Sequence, residues 1–156
     1  MTAIRKIISG GQTGVDRAAL DAAIELRITG GGWCPNGRAS EQGAIPDHYP
    51  LTETPSADPA QRTEWNVRDS DATLIIARGK LTGGTALSQR FARSLDKPCL
   101  VVDEAGETSA ATVRAWLDER AIKILNVAGP RTSNDPLVYE LARQLLNKVL
   151  ADNVRR

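Results

Sequence analysis

Residues 4–26 read IRKIISGGQTGVDRAALDAAIEL, a short apolar run followed by a glycine-rich turn and then a helical pattern. Branched apolar side chains in a short run are typical of a buried parallel strand. The apolar residues after the turn recur at helical spacing: Val15, Ala18, Ala19, Ala22, Ala23 and Leu26. Asp16, Arg17, Asp21 and Glu25 lie between them and are expected to face away. This order of strand, turn and helix predicts the first βα unit of an α/β fold.

The same alternation continues along the chain. Further apolar runs predict strands at Ala72–Ala77, Cys99–Val102 and Ile122–Val127, and a weaker one at Ile28–Cys34. Helical patterns cover about 60–68, 85–95 with Leu87, Phe91 and Leu95 inward, 109–120, and a last helix after the N-cap Asp135 and Pro136. We therefore predict a single Rossmann-like α/β domain over residues 1–156. Its sheet is doubly wound and mainly parallel, with about five strands and with helices on both faces.

The segment 35–59 interrupts this alternation, because it holds five of the eight prolines and little periodicity. Loops of this length are uncommon in compact domains and usually have a function. A short strand is expected near 49–54. Since the segment follows a predicted strand, it should start at the same edge of the sheet as the other turns between strands and helices.

The composition excludes several classes of protein. The net charge is only +1, so the chain lacks the long-range positive field expected of a protein that binds nucleic acid. No apolar run is long enough to span a bilayer or to resemble a signal peptide, so we expect a cytoplasmic protein without a membrane partner. Cys34 and Cys99 form no Cys-x-x-Cys motif, and His48 is the single histidine. A metal held by protein ligands is therefore not expected.

Two glycine-rich turns each follow an apolar run and open a helical segment. They predict contacts to a phosphorylated small molecule from these residues: Gly10, Gly11, Gln12, Thr13 and Gly14 in one turn, and Thr82, Gly83, Gly84 and Thr85 in the other. The first amides of a helix have no partner in the helix, and glycine lets an anion approach them closely. Because parallel strands end at one edge of the sheet, the two turns should share one pocket. The alternative is ordinary turn chemistry.

Neither turn matches a standard nucleotide motif. The first lacks the G-x-G-x-x-G spacing and the acidic residue about 20 positions later that holds a ribose, which argues against NAD. In the second, Gly79-Lys80 is followed by Leu81 in place of serine or threonine, and no glycine stands five residues before it. The sequence therefore lacks a P-loop.

Several charged and aromatic residues are candidates for contacts to the ligand. Three arginines in or beside the loops could clamp an anion or lie in solvent: Arg38, Arg62 and Arg131. Three acidic residues could bind magnesium, act as an acid–base pair, or be ordinary surface charges: Glu64, Asp69 and Asp71. Trp33 and Trp65 could stack on a heterocycle or pack in the protein.

Over nearly its whole length the chain resembles the molybdenum cofactor carrier family, which consists of circularly permuted, Rossmann-like relatives of the lysine-decarboxylase-like and LOG nucleotide-binding superfamily. The resemblance lies in these segments: Ser9–Arg17, Gly31–Pro35, Gly37-Arg38, Ile45-Pro46, Tyr49–Leu51, Arg62–Glu64, Asn66–Asp71, Gly83–Thr85 and Leu125–Arg131. Matches of this combined length are highly specific.

The resemblance implies a cytoplasmic homo-oligomer, with four subunits, that binds or stores molybdenum cofactor and could deliver it to molybdoenzymes. The phosphate of the cofactor would lie at the glycine turns, and Asn66 or Asp69 would hold its pterin ring. The molybdenum would be held by the sulfurs of the pterin, which is consistent with the lack of protein ligands for a metal.

The wider superfamily gives an alternative, a nucleotide-binding protein or a phosphoribohydrolase that cleaves the base from nucleoside monophosphates. The hydrolases have a glutamate soon after a Gly-Gly-x-Gly-Thr turn. The corresponding stretch here, residues 83–89, is GGTALSQ and has no glutamate. Without a carboxylate near the sugar, a positively charged transition state loses its electrostatic partner. Hydrolysis would then require Glu64 or Asp69 as a substitute, whereas nucleotide binding without catalysis stays open.

Overall fold

Five parallel strands form the central sheet of the protein, for which a computed structural model describes residues 3–151 and 153. The predicted domain also includes residues 1, 2, 152 and 154–156, which lie outside the described residues. In chain order, the strands of this sheet are β1 (Lys6–Ile8), β2 (Thr29–Gly31), β7 (Ala72–Ile76), β8 (Cys99–Val102) and β9 (Ile124–Ala128). Four short strands lie outside it: β3 (Trp33–Cys34), β4 (Ala39–Ser40), β5 (Gly43–Ala44) and β6 (Thr52–Glu53).

The spatial order of the central strands is β2-β1-β9-β7-β8, and every neighbouring pair is parallel. If β9 is counted first, followed by β1 and β2 and then by β7 and β8, the order reads 3-2-1-4-5. This is the order of a doubly wound dinucleotide-binding sheet. The chain therefore has Rossmann-like topology, but it begins at the second strand and ends with the strand and helix that come first in the usual connectivity.

In the described part of the chain, five helices connect and cover the strands: α1 (Val15–Glu25), α2 (Pro59–Arg68), α3 (Gly83–Ser94), α4 (Glu107–Glu119) and α5 (Val138–Leu150). Helix α5 packs between α1 and α4, whereas α2 packs against α3. Leu74 and Ile76 of β7 belong to the core formed with α1, α4 and α5. Ile75 points to the opposite face of the sheet and is also fully buried, and α3 contacts β7. The predicted α/β fold is confirmed.

Helix α3 differs from its prediction. Its fully buried side chains belong to the small residues Thr85, Ser88 and Ala92. The predicted inward stripe is wrong, since Leu87 and Phe91 are half-buried and Leu95 is 38% exposed. The predicted N-cap Asp135 is wrong, because α5 begins at Val138 and Leu137 is its N-cap residue. The Asp135 carboxylate accepts from Leu137 N at 3.2 Å in the turn before the helix.

The predicted strand Ile28–Cys34 is divided at Gly32. The φ of Gly32 is +127°, and the strands on its two sides bond to different partners: β2 pairs with β1, and β3 pairs with β6. A Cβ at Gly32 would lie 2.4 Å from the Ser9 carbonyl oxygen, which explains why glycine is required there. Strand β6 confirms the short strand expected near 49–54. The hairpin of β4 and β5 has no counterpart in the sequence predictions.

Within residues 3–151 and 153, no helix has the length and apolar character needed to cross a bilayer.

Close backbone packing involves Gly129, directly after β9. A Cβ at this position would lie 2.3 Å from the Ile76 carbonyl oxygen and 2.5 Å from a methyl carbon of Val15. Gly129→Ala should therefore lower the free energy of unfolding by about 1–3 kcal/mol, the usual cost of overpacking. Chemical denaturation measures the change.

Gly30→Ala is the matched control, because a Cβ at Gly30 would meet its nearest atoms at an ordinary 3.7 Å. It should change stability by less than about 0.5 kcal/mol. Equal stability of the two variants would contradict the tight packing assigned to Gly129.

Candidate functional site

A cleft of about 290 Å³ lies beyond the carboxyl ends of β1, β7 and β9. The order of the strands reverses between β9 and β7, which is where open α/β sheets bind ligands. Its walls come from the first glycine turn, α2, the start of α3 and the loop between β9 and α5. Nine predicted site residues line it: Gly10, Gln12, Arg62, Asn66, Thr82, Gly83, Gly84, Thr85 and Arg131.

The start of α3 presents free backbone donors to this cleft. Thr82 is the N-cap residue, with extended backbone and no hydrogen bond from its side chain to the helix. The first backbone bond of the helix is donated by Ala86 to Thr82 O at 3.2 Å. Among the described residues, no oxygen accepts from the amides of Gly83, Gly84 and Thr85. A Cβ at Gly84 would meet no atom within 4 Å, so the space in front of these amides is open.

The first glycine turn is different, because three of its amides already have partners in the protein. Gly11 N donates to Ser9 Oγ at 3.3 Å, and Gln12 N donates to Asp16 Oδ2 at 3.2 Å. Thr13 N donates to the side-chain oxygen of Gln12 at 3.0 Å. The anion contact predicted for these three amides would therefore require these bonds to break.

The glycines of the first turn are required for packing. A Cβ at Gly14 would lie 2.3 Å from the Pro130 carbonyl oxygen, and Val15 N donates to that oxygen at 3.2 Å. A Cβ at Gly11 would meet the side chains of Leu51 and Ile45 at 2.5 and 3.0 Å. Among the residues of this turn, Gly11, Thr13 and Gly14 do not line the cleft. The turn thus brings the loop after β9 against the start of α1.

Arg62 reaches the cleft from α2 and is fixed at its base. Its Nη1 donates to the Gly10 carbonyl oxygen at 2.7 Å and lies 3.7 Å from Asp16 Oδ2. A Cβ at Gly10 would lie 2.1 Å from this Nη1. The absence of a side chain at Gly10 therefore gives the guanidinium its position in the wall.

Asp16 is a lining residue that the sequence prediction missed. It was expected to face away from the apolar surface of α1, yet it is 8% exposed and lines the cleft. Burial raises the pKa of its carboxyl to about 6, although Arg62, the Gln12 amide and Arg17 act in the opposite direction. The sequence did contain a signal for this role, because Asp16 lies in the first turn of a helix that directly follows a glycine turn. In the structure, this position brings its side chain to the cleft beyond the strand ends.

Three other predicted residues have structural roles. The guanidinium of Arg38 donates to four backbone carbonyls of the segment 35–59, so Arg38 holds that loop and does not line the cleft. Asn66 lines the cleft, but its amide donates to Trp33 O at 3.0 Å and accepts from Trp33 N at 2.7 Å. Asp69 accepts from the Trp33 indole at 2.8 Å and pairs with Arg68.

Arg131 stands at the rim of the cleft, where Glu41 links three loops. Arg131 Nε lies 3.6 Å from the Glu41 carboxylate, and the Thr13 hydroxyl donates to the same carboxylate. Glu41 also accepts from Ser133 N at 3.1 Å and from its hydroxyl at 2.5 Å. Hydrogen bonds from Ser133 and Thr13 hold the pKa of Glu41 below its usual value. Glu41, at the tip of the β4–β5 hairpin, therefore fastens the first turn to the loop after β9.

The remaining candidates lie away from the cleft. Trp33 and Trp65 pack edge to face with ring centroids 4.8 Å apart, and neither lines the cleft. Asp71 accepts from the backbone amides of Lys123 and Ile124 and so fixes the start of β9. Glu64 is exposed on α2. In the part of the chain that the structure describes, no three His, Cys, Asp or Glu side chains are grouped so that they could hold a metal ion.

The topology and the cleft define a Rossmann-like α/β protein whose cavity lies at the point where the strand order reverses. The chain belongs to the circularly permutated YpsA SLOG family, whose model matches residues 7–150. It is also similar to the crystal structure of a protein from Syntrophus aciditrophicus SB named "Putative molybdenum carrier protein". The two chains are 49% identical, 96% of each is covered, and the TM-score is 0.93. No curated protein matches the chain.

The raised pKa of Asp16 predicts a pH-dependent effect on stability. Because the folded pKa of about 6 exceeds the ordinary aspartate pKa of 3.8, the folded state retains the proton longer as pH rises. The contribution of Asp16 to the free energy of unfolding is therefore full below the unfolded pKa and falls as pH rises through 6. Relative to wild type, Asp16→Asn should gain about 3 kcal/mol between about pH 4 and pH 7. Denaturation curves at several pH values measure this difference, and parallel pH profiles would contradict it.

Proposed function

We propose that this chain binds and stores molybdenum cofactor, a phosphorylated pterin, in the cleft beyond β1, β7 and β9, without chemical change to it. The observation that carries the proposal is the open start of α3, where the amides of Gly83, Gly84 and Thr85 have no acceptor among the described residues. Such amides and the positive end of the helix dipole favour a phosphate group. The metal would stay on the sulfurs of the pterin.

The charge and size of the cleft support this ligand class. Arg62 and Arg131 both line it, and each is only loosely paired with a carboxylate, at 3.7 and 3.6 Å. Their remaining N–H groups can therefore donate to phosphate or other oxyanions. The volume of about 290 Å³ is at the lower end of the range for small-molecule sites and suits one fused ring system with one phosphate.

The name of the Syntrophus protein refers to a molybdenum carrier, and its close similarity to this chain supports the same cargo here. Of the predicted contacts, we retain Thr82, Gly83, Gly84, Thr85, Arg62 and Arg131 for the anion. In the first glycine turn, Gly10 fixes the position of Arg62, and Gln12 lines the wall of the cleft.

A nucleoside monophosphate is the second candidate ligand, because the strand order and the position of the cleft are those of a mononucleotide site. Asp16 places a carboxylate in the wall of the cleft, where it could stabilise the positively charged transition state of a phosphoribohydrolase. Glu64 and Asp69 do not line the cleft. Incubation with nucleoside monophosphates distinguishes the two functions. Release of free base that depends on Asp16 would favour the hydrolase over the carrier.

Gly84→Val tests the anion site directly. The branched side chain would fill the open space in front of the α3 amides, so affinity for extracted molybdenum cofactor, measured by equilibrium binding, should fall at least about tenfold. Gly106→Val is the matched control, because Gly106 also stands at a helix start with no atom within 4 Å of an added Cβ, but outside the cleft. Unchanged affinity in a folded Gly84→Val protein would contradict the proposal.

We further propose a cytoplasmic homo-oligomer, a tetramer, that delivers the cofactor to molybdoenzymes. Exposed apolar side chains support the association, since Leu95, directly after α3, and Val101 of the edge strand β8 are 38% and 39% exposed. Unpaired edge strands favour pairing with another chain.

Val101→Glu should therefore reduce the oligomer to a smaller species in light scattering. Ile24→Glu provides a control, because Ile24 is a similarly exposed apolar residue on α1. A wild-type monomer would contradict the oligomer, and dissociation by Ile24→Glu alone would place the contact on α1.

A further inference from the structure

We propose that Asp16 recognises the ring of the ligand, so that the cleft selects heterocycles with two adjacent N–H donors, the 2-amino-4-oxopyrimidine edge that pterins and guanine share. This inference rests on the proposed function, because it assumes that a phosphorylated heterocycle occupies the cleft. It concerns a different contact, since the phosphate lies at α3 and Asp16 belongs to α1.

The residues first expected to hold the ring are already occupied. Both polar atoms of the Asn66 side chain bond to the backbone of Trp33. Asp69 bonds to the Trp33 indole and to Arg68, and it does not line the cleft. Recognition of the ring edge must therefore come from another polar group in the wall.

Asp16 has the free acceptor that this role needs. It is the one acidic side chain among the described residues that line the cleft. Its Oδ2 accepts from Gln12 N at 3.2 Å, whereas no described residue donates to Oδ1. A carboxylate can accept about four hydrogen bonds. The Asp16 side chain is 11% exposed, and Oδ1 is not among the buried side-chain atoms without a partner in the described residues. A ligand in the cleft can therefore reach this oxygen with its N–H donors.

The position of Asp16 does not follow from a need to hold Arg62. Arg62 Nη1 is fixed by its 2.7 Å bond to the Gly10 carbonyl, and its 3.7 Å separation from Asp16 Oδ2 is longer than a hydrogen bond. Arg62 and Arg17 supply positive charge that favours the ionised carboxylate. The wall therefore carries an acceptor that is held in place and available to a ligand.

The chemistry of this acceptor defines the selected ring. A carboxylate accepts from two parallel N–H groups, as it does from a guanidinium. The 2-amino group and the adjacent ring N–H of pterin or guanine have this arrangement. Hypoxanthine lacks the 2-amino donor, and adenine lacks the ring N–H. A site that is built to accept two donors rejects analogues that leave one acceptor unpaired.

The test compares probes that differ at the ring edge alone. Affinities for guanosine, inosine and adenosine monophosphates are measured by calorimetry, with ribose 5-phosphate as the probe for the phosphate contact. Wild type should bind the guanosine compound at least about tenfold more tightly than the other two nucleotides. Asp16→Asn should lose this preference and keep its affinity for ribose 5-phosphate. Glu64→Gln, which removes an exposed carboxylate of α2 outside the cleft, should keep both.

Three results would overturn the inference. Equal affinity of wild type for the three nucleotides, with ribose 5-phosphate still bound, would refute selection by Asp16 and leave the anion site intact. Equal weakening of every probe by Asp16→Asn would show that Asp16 positions Arg62. Failure of wild type to bind any probe, ribose 5-phosphate included, would remove the proposed function as well.

A second measurement covers the case in which Asp16→Asn fails to fold. In wild type, the ratio of guanosine to inosine monophosphate affinity should fall as pH drops through about 6, where the Asp16 carboxyl gains a proton. The ratio cancels the titration of the phosphate, which both probes share. Arg62 and Arg17 are the cations whose charge acts on this carboxyl. A ratio that is constant from pH 7.5 to about pH 5 would overturn the inference.

Discussion

The site depends on one close approach of backbone, where the end of β9 meets the start of α1. The Pro130 carbonyl accepts from Val15 N at 3.2 Å, and Gly14 and Gly129 leave no room for a side chain at this contact. A bulkier residue at either position would separate the loop after β9 from the first glycine turn. Because Arg131 follows directly in that loop, the same contact determines where its guanidinium stands at the rim.

The permuted connectivity makes this contact one between segments that are far apart in the sequence. In the order 3-2-1-4-5, the strand that usually comes first, β9, is here the last, and its loop reaches α1 from the far end of the sequence. No short covalent connection holds the two together. Glu41 adds a further noncovalent link, since its carboxylate joins Thr13, Ser133 and Arg131.

Periodicity in the sequence was sufficient to predict the α/β class, the five central strands and the approximate bounds of the helices. Periodicity was insufficient where a single backbone angle or the packing of small side chains determines which elements pair or contact each other. The +127° φ of Gly32 divides one predicted strand into two that pair with different partners. The small residues of α3 let α2 pack against it, so its larger apolar residues remain partly exposed. Neither outcome is visible in hydrophobic spacing.

The two glycine turns look alike in sequence but have different roles in the structure, because different side chains surround their backbone amides. Ser9, Gln12 and Asp16 supply oxygens within hydrogen-bond reach of the first turn, so three of its amides are satisfied inside the protein. The second turn has apolar or hydroxyl-bearing neighbours that give it no such acceptor, and its amides stay open to the cleft. A polar residue at the second position of the following helix can thus convert an anion site into a packed turn. At the first turn that residue is Asp16, which occupies one amide with Oδ2 and leaves Oδ1 available in the wall of the cleft.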